Sequence, residues 1–281
     1  VPYIGCHVSI SDGVEHAPKR AADLGCDTFQ IFTANQMQWK ASPITGDSQK
    51  VFLSEIKKYD FQNVISHDSY LVNLGSPDPK KLAMSRNAFI EEIQRSTFLK
   101  IPYIVFHPGS HMGKGDDCAL QTIAEGLDYC IETVPDSTVM LLLENTAGQG
   151  SNVGYKFEQL RTIIDHCSYP DRLGVCFDTC HAFTAGYDLI TEVAYNDTFK
   201  EFDNIIGLNR LKVFHVNDSK KPLGSRVDRH HQLGKGFIGI KPFYHLVNDE
   251  RFAELPMILE TPGEDEHYTH EIKLLKDAIT P

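Results

Sequence analysis

Val139-Met140-Leu141-Leu142-Leu143-Glu144 is an unbroken apolar run closed by a carboxylate, and Leu173-Gly174-Val175-Cys176-Phe177-Asp178 repeats that design further along. Between the two, Phe157, Leu160, Ile164 and Cys167 recur at the spacing of one helix face. Before them, Leu120, Ile123, Leu127, Ile131 and Val134 do the same. The local pattern is therefore strand, helix, strand, and a parallel strand pair requires such a crossover. Moving outward, β-branched and aromatic runs recur at residues 4–8, 28–32, 63–67, 103–107, 211–216 and 257–260. Lys241-Pro242 opens a further helical segment containing Phe243, Leu246 and Val247, because proline is tolerated in a first turn. Eight strand-then-helix units predict an α/β fold, a closed (β/α)8 TIM barrel forming one catalytic domain over residues 1–281, with an open doubly wound sheet as the alternative.

The composition agrees with a globular chain. Of 281 residues, 41% are hydrophobic and 23% charged, and no low-complexity tract or Gly/Ser linker marks a boundary. The longest apolar runs are too short for a bilayer, and Val1-Pro2-Tyr3-Ile4 does not open a secretory signal, so neither membrane association nor secretion is expected. Seven cysteines, none spaced as Cys-x-x-Cys and three of them (Cys130, Cys176, Cys180) within apolar segments, predict reduced thiols and a cytoplasmic location. A net charge of -11 argues against binding nucleic acid through overall positive charge, an objection that weakens if bound cations change the local sign.

The chemistry is written at the strand ends. Six consecutive runs close on His67, His107, Glu144, Asp178, His215 and Glu260. In a parallel barrel these ends converge on one face, where barrel enzymes build their active sites. His181, three residues after Asp178, and the pair Asp228 and His230 add candidates from the following loops. A lone strand-end histidine is more often a hydrogen-bonded rim residue, and a lone strand-end carboxylate is usually a helix cap. Six together are different, since carboxylates gathered at one mouth repel unless cations lie between them. Five imidazoles and four carboxylates suit zinc, manganese or iron, and nine ligands fill two or three sites with one carboxylate bridging. His7 could orient a ligand through a hydrogen bond, and His111 could meet a phosphate or serve only its loop. His16, His166, His245, His267 and His270 read as solvated surface, and His231 is expected to point away from His230.

Several segments together resemble the endonuclease IV family of apurinic/apyrimidinic endonucleases. They are Phe177-Asp178-Thr179-Cys180-His181-Ala182-Phe183-Thr184-Ala185-Gly186-Tyr187-Asp188, His215-Val216-Asn217-Asp218-Ser219-Lys220, Gly224-Ser225-Arg226-Val227-Asp228-Arg229-His230 and Leu233-Gly234-Lys235-Gly236. Gly5-Cys6-His7-Val8-Ser9, Asn35-Gln36-Met37-Gln38-Trp39, His67-Asp68-Ser69-Tyr70-Leu71 and Leu259-Glu260-Thr261-Pro262 extend the likeness over nearly the whole chain. The resemblance implies a TIM barrel with three zinc ions per chain. His67, His107 and Glu144 would hold the first, Glu144 would bridge to a second held also by Asp178, His215 and Glu260, and His181, Asp228 and His230 would hold the third.

The implied reaction is hydrolysis of the phosphodiester 5′ to an abasic site, leaving 3′-hydroxyl and 5′-deoxyribose phosphate ends. Glu144 and Glu260 are the expected catalytic carboxylates, Glu260 mainly as a ligand but able to take a proton. The expected partner is double-stranded DNA containing abasic sites, with no obligate protein partner. The resemblance implies that loops enter the base stack, which assigns DNA contacts to Asn35, Gln36, Met37, Gln38, Trp39, Tyr70 and Leu71. Relatives commonly carry arginine where this chain has Met37, whose flexible thioether can still fill the gap left by a missing base. The competing expectation is a divalent-metal sugar isomerase or epimerase, since one barrel hosts many chemistries.

Overall fold

The computed structural model describes residues 1–36, 38–39 and 42–280. Eight parallel strands close into a barrel: β1 (Tyr3–His7), β2 (Thr28–Phe32), β3 (Ile65–His67), β4 (Tyr103–Phe106), β5 (Met140–Glu144), β6 (Leu173–Asp178), β7 (Leu211–His215) and, after a hairpin of β8 (Asp218–Ser219) and β9 (His230–His231), β10 (Pro256–Leu259). Each strand of the barrel pairs with its chain neighbour, and β1 pairs with β10 to close the ring. The helices between them are α1 (Ala17–Asp23), α2 (Gly46–Tyr59), α3 (Pro79–Leu99), α4 (Asp116–Thr133), α5 (Phe157–His166), α6 (Thr179–Ala185), α7 (Glu192–Ile205), α8 (Lys241–Leu246) and α9 (Asp265–Asp277). The closed barrel rules out the open sheet.

Alternation along the strands sorts the core into two layers. Ile65, Val105, Leu142, Cys176, Val213 and Ile258, one from each of six strands, fill the barrel interior. The alternate residues face the helices, where Phe177 lies among Phe157, Phe199, Phe202 and Phe214 at centroid distances of 5.0–6.2 Å. Gly5 is obligatory in this packing, because a Cβ there would sit 1.8 Å from the Thr28 carbonyl oxygen of the adjoining strand. No helix among the described residues is long and apolar enough to cross a membrane.

The interior layer ends where the ligand candidates begin. His67, Glu144, Asp178 and His215 are the last residues of β3, β5, β6 and β7, whereas His107 and Glu260 fall one residue beyond β4 and β10. The β8–β9 hairpin is absent from the strand pattern of the sequence, being only two residue pairs long.

Candidate metal centre

Glu144 lies at the middle of the barrel mouth and is fully buried. Its Oε2 is 3.2 Å from His67 Nε2 and 3.1 Å from His107 Nε2. The other oxygen, Oε1, is 2.9 Å from His215 Nδ1 and 3.3 Å from His181 Nδ1. One carboxylate thus presents its two oxygens to two different sets of imidazoles. Glu260 Oε2 joins the second set, 3.2 Å from His215 Nδ1. The ligand atoms of His67, His107 and Glu144 lie within 4.8 Å of one another, and so do those of Glu144, Asp178, His215 and Glu260.

A third set meets beside them. His181 Nε2 is 3.2 Å from Asp228 Oδ2 and 3.3 Å from His230 Nε2, and His230 Nε2 is 3.6 Å from Asp228 Oδ1. All nine strand-end and loop candidates are therefore brought to one mouth. Cys180 also lies within 4.8 Å of Asp228 and His230, but burial pushes its thiol up to about 12, so it stands there as a neutral thiol.

Hydrogen bonds decide which nitrogen each histidine turns inward. A carbonyl can only accept, so His67 Nδ1 donates to Asp68 O at 2.7 Å and leaves Nε2 facing Glu144. His181 Nδ1 donates to Asn145 O at 3.0 Å, and His230 Nδ1 to Glu260 O at 3.3 Å. Their Nε2 atoms then face each other with lone pairs converging, an arrangement that needs a positive charge between them. Burial alone would depress His67, His181 and His215, yet facing carboxylates lift His67 and His181 above the ordinary histidine value, and Cys176 together with Glu260 and Glu144 does the same for His215. Burial would likewise raise Glu144, and the surrounding imidazoles, His215 foremost, hold it well below the usual carboxylate range. Nitrogen and oxygen donors in this density, all turned inward, fit divalent cations of the zinc type.

Asp178 carries two roles. Its Oδ1 caps α6 by accepting from the His181 N–H at 2.7 Å, while Oδ2 accepts from Asn217 Nδ2 at 2.7 Å and turns toward His230 and His215. The helix-cap expectation for a strand-end carboxylate is true here of one oxygen and does not exhaust the residue.

Three amides that sequence reasoning passed over hold this array. Gln30, on β2, donates through Nε2 to Glu260 Oε1 at 2.7 Å and accepts His215 Nε2–H through Oε1 at 2.8 Å. It thereby fixes the His215 tautomer with Nδ1 facing Glu144. Asn217 joins Asp178 to the Glu260 backbone N–H, accepting the latter at 2.9 Å, and Asn145 accepts the Asp178 N–H at 2.8 Å. Gln30→Leu is expected to lower metal affinity about 10- to 100-fold, because it frees the ligands and orphans the buried His215 N–H. Competition with a chromogenic chelator measures this, and an unchanged affinity would show the amide to be dispensable.

His7 lies one hydrogen bond behind the ligands, its Nδ1 3.0 Å from Gln30 Nε2, and burial takes it down to about 4, so it is neutral. His111 is engaged in its own loop, where Nδ1 accepts from Gly113 N at 3.1 Å, while its neighbours Ser110 and Met112 line a cleft of about 740 Å³ over the ligands. Tyr70 overhangs that cleft half-exposed, its ring 5.5 Å from those of His67 and His107. Asn35, Gln36, Gln38 and Trp39 border a smaller recess beside His67, and Ser69 Oγ ties their loop down by donating to Gln36 O at 2.8 Å. Leu71 follows with its N–H donated to Ser69 Oγ at 3.2 Å. Met37 lies outside the described residues.

The chain is 48% identical over 279 residues to a probable endonuclease 4 of Geotalea daltonii, covering 99% of this chain and 98% of that one. It belongs to the endonuclease IV family. A probable endonuclease 4 of Phocaeicola vulgatus is 49% identical over 276 residues, covering 97% and 98%. The crystal structure of endonuclease IV from Thermus thermophilus superposes with a TM-score of 0.89 at 31% identity, covering 99% of this chain and 98% of that one. Residues 18–278 match the family model described as a xylose isomerase-like TIM barrel. A D-tagatose 3-epimerase-like protein superposes with a TM-score of 0.76 at 18% identity, a likeness of fold alone, so endonuclease IV membership separates this chain from the sugar epimerases that share its barrel.

Proposed function

We propose that this member of the endonuclease IV family is a DNA-repair hydrolase that cleaves the phosphodiester 5′ to an abasic site in double-stranded DNA, leaving 3′-hydroxyl and 5′-deoxyribose phosphate ends. Family membership makes the chain a metal-dependent nuclease. The finer reading is three zinc ions, the first held by His67, His107 and Glu144, the second by Glu144, Asp178, His215 and Glu260, the third by His181, Asp228 and His230. The observation that supports it is the two-sided presentation of buried Glu144, with Oε2 about 3 Å from the Nε2 atoms of His67 and His107 and Oε1 2.9 Å from His215 Nδ1. When bound, such ions supply a nucleophilic hydroxide at neutral pH and offset charge on the phosphate and the departing 3′-oxygen.

The chain's own residues supply the rest. Glu144 holds two ligand sets at a fixed separation. Glu260 reaches the cleft with its side chain partly exposed, so it can accept a proton from an attacking water while Gln30 keeps its other oxygen engaged. Asn35, Gln36, Gln38 and Trp39 on one rim, with Tyr70 and Leu71 beside His67, contact the DNA and expose the abasic nucleotide, a role that Met37 shares by its place in the sequence, and His111 approaches a phosphate. The protein acts as one domain in the cytoplasm, a compartment that suits its seven free cysteines.

A duplex carrying one tetrahydrofuran abasic analogue tests this directly, because the analogue blocks β-elimination. Zinc-loaded protein is expected to nick it, to leave a 3′ end that a polymerase extends, and to contain about three zinc ions per chain by elemental analysis. An intact strand after incubation with zinc-replete protein would refute the proposal.

A further inference from the structure

Asp218, on β8, is fully buried, yet among the described residues it forms no ion pair with lysine or arginine. Its carboxylate instead collects four backbone N–H groups. Oδ1 accepts from Ser219 at 2.7 Å and Ile238 at 2.9 Å, and Oδ2 from Gly236 at 2.9 Å and Gly239 at 3.3 Å. A buried charge balanced only by peptide dipoles is costly unless each lone pair is met, and these donors come from both ends of one excursion of the chain. The excursion leaves at Ser219 and returns at Gly236, closed further by Phe237 N–H donating to Ser219 O at 2.8 Å.

That excursion carries Asp228 and His230. Seven of the nine proposed ligands lie in barrel strands, one residue beyond them, or on α6, and only these two depend on an arm that leaves the barrel. The tip of the arm has its own fastenings, with Asp228 N–H donating to Gln149 Oε1 at 2.9 Å and the Arg226 guanidinium 4.0 Å above the Tyr155 ring. The neck has Asp218. Gly236 is required beside it, since a Cβ there would lie 2.5 Å from Asp218 Oδ1 and 2.2 Å from Ser219 O.

We propose that Asp218 is a positioning residue for the third cation: by closing the neck of the 219–236 arm it sets Asp228 and His230 against His181. This rests on the three-zinc reading above. An asparagine at 218 has nearly the same shape, but its amide would turn N–H groups toward two of the backbone donors. Alanine at 236 opens the neck by contact, its Cβ pressing on Ser219 O and Asp218 Oδ1, while residue 218 stays an aspartate.

The test uses the full chain as wild type, D218N and G236A, each loaded with zinc and dialysed against graded chelator. Metal content is read by mass spectrometry, fold by circular dichroism, and cleavage of the abasic duplex as a function of free zinc. Wild type is expected to retain three ions, and both variants two, with the remaining site weakened about 10- to 100-fold. Added zinc is expected to restore cleavage in the variants, a rescue that a purely structural role would not allow. Variants that match wild type in stoichiometry and zinc dependence would overturn the assignment. So would variants that lose the barrel's circular dichroism, because the clamp would then belong to the fold and not to the arm. Wild type holding fewer than three ions would instead bring down the three-zinc reading itself.

Discussion

Glu144→Gln is expected to reduce cleavage of an abasic duplex by about 10² to 10⁴. The side chain keeps its shape and one oxygen, so the barrel should still close, but the second oxygen becomes an amide that turns N–H toward imidazole nitrogens. Which half of the array suffers does not matter, because His67 and His107 face one oxygen and His215 and His181 the other. Removing one partner of a buried charged set costs about 3–5 kcal/mol, and a tenfold change in rate corresponds to about 1.36 kcal/mol. Single-turnover kinetics at saturating protein gives the rate, and metal analysis of the same sample should find the first and second sites both weakened. A near-normal rate, or the loss of one ion with the other held as tightly as before, would show that the carboxylate is not shared.

A mutation that touches no ligand is expected to have the largest effect on stability. Phe177→Ala should destabilise the protein by about 3–5 kcal/mol, the usual cost of deleting a buried aromatic side chain. Four phenylalanine rings surround it from α5, α7 and β7, so no single neighbour can move in to fill the space. Against a total of about 5–15 kcal/mol for a typical domain, that loss approaches unfolding. Urea titration of the metal-free protein measures it. A shift of the midpoint worth less than about 1 kcal/mol would mean that the layer repacks freely. The adjacent Asp178, a proposed ligand, makes the experiment informative about function as well, because metal should bind more weakly wherever β6 loosens.

The barrel and the nine converging side chains were legible because two strong periodicities carry them. The apolar runs at 139–144 and 173–178 could only be strands beside the helical spacing of residues 157–167, and the residue closing each run had to reach the same face. Strand limits were less legible. His107 and Glu260 lie one residue outside the ladder, although the neighbouring strands β5 and β1 each run one residue further, to Glu144 and His7. Gln30, Asn145 and Asn217 left no signal, because an uncharged amide on a strand or in a turn looks the same whether it holds a ligand or a solvent molecule. Their work becomes visible only when the ends of β2, β5 and β7 meet at one mouth of the barrel. The β8–β9 hairpin was hidden for a related reason. Two residue pairs have no periodicity, and what closes them is a carboxylate meeting backbone groups that carry no residue identity.

Trp39 is the chain's one tryptophan, and it sits two-fifths exposed on the rim beside the ligand cluster. Light at the red edge of protein absorption therefore excites a single indole at the place where a duplex would settle. The molecule carries its own emission probe for that encounter, and a change in its brightness or colour can be followed in a stopped-flow mixer with no dye attached. The proposed metal ligands stay unmodified throughout, so docking and bond cleavage can be timed separately on the same sample.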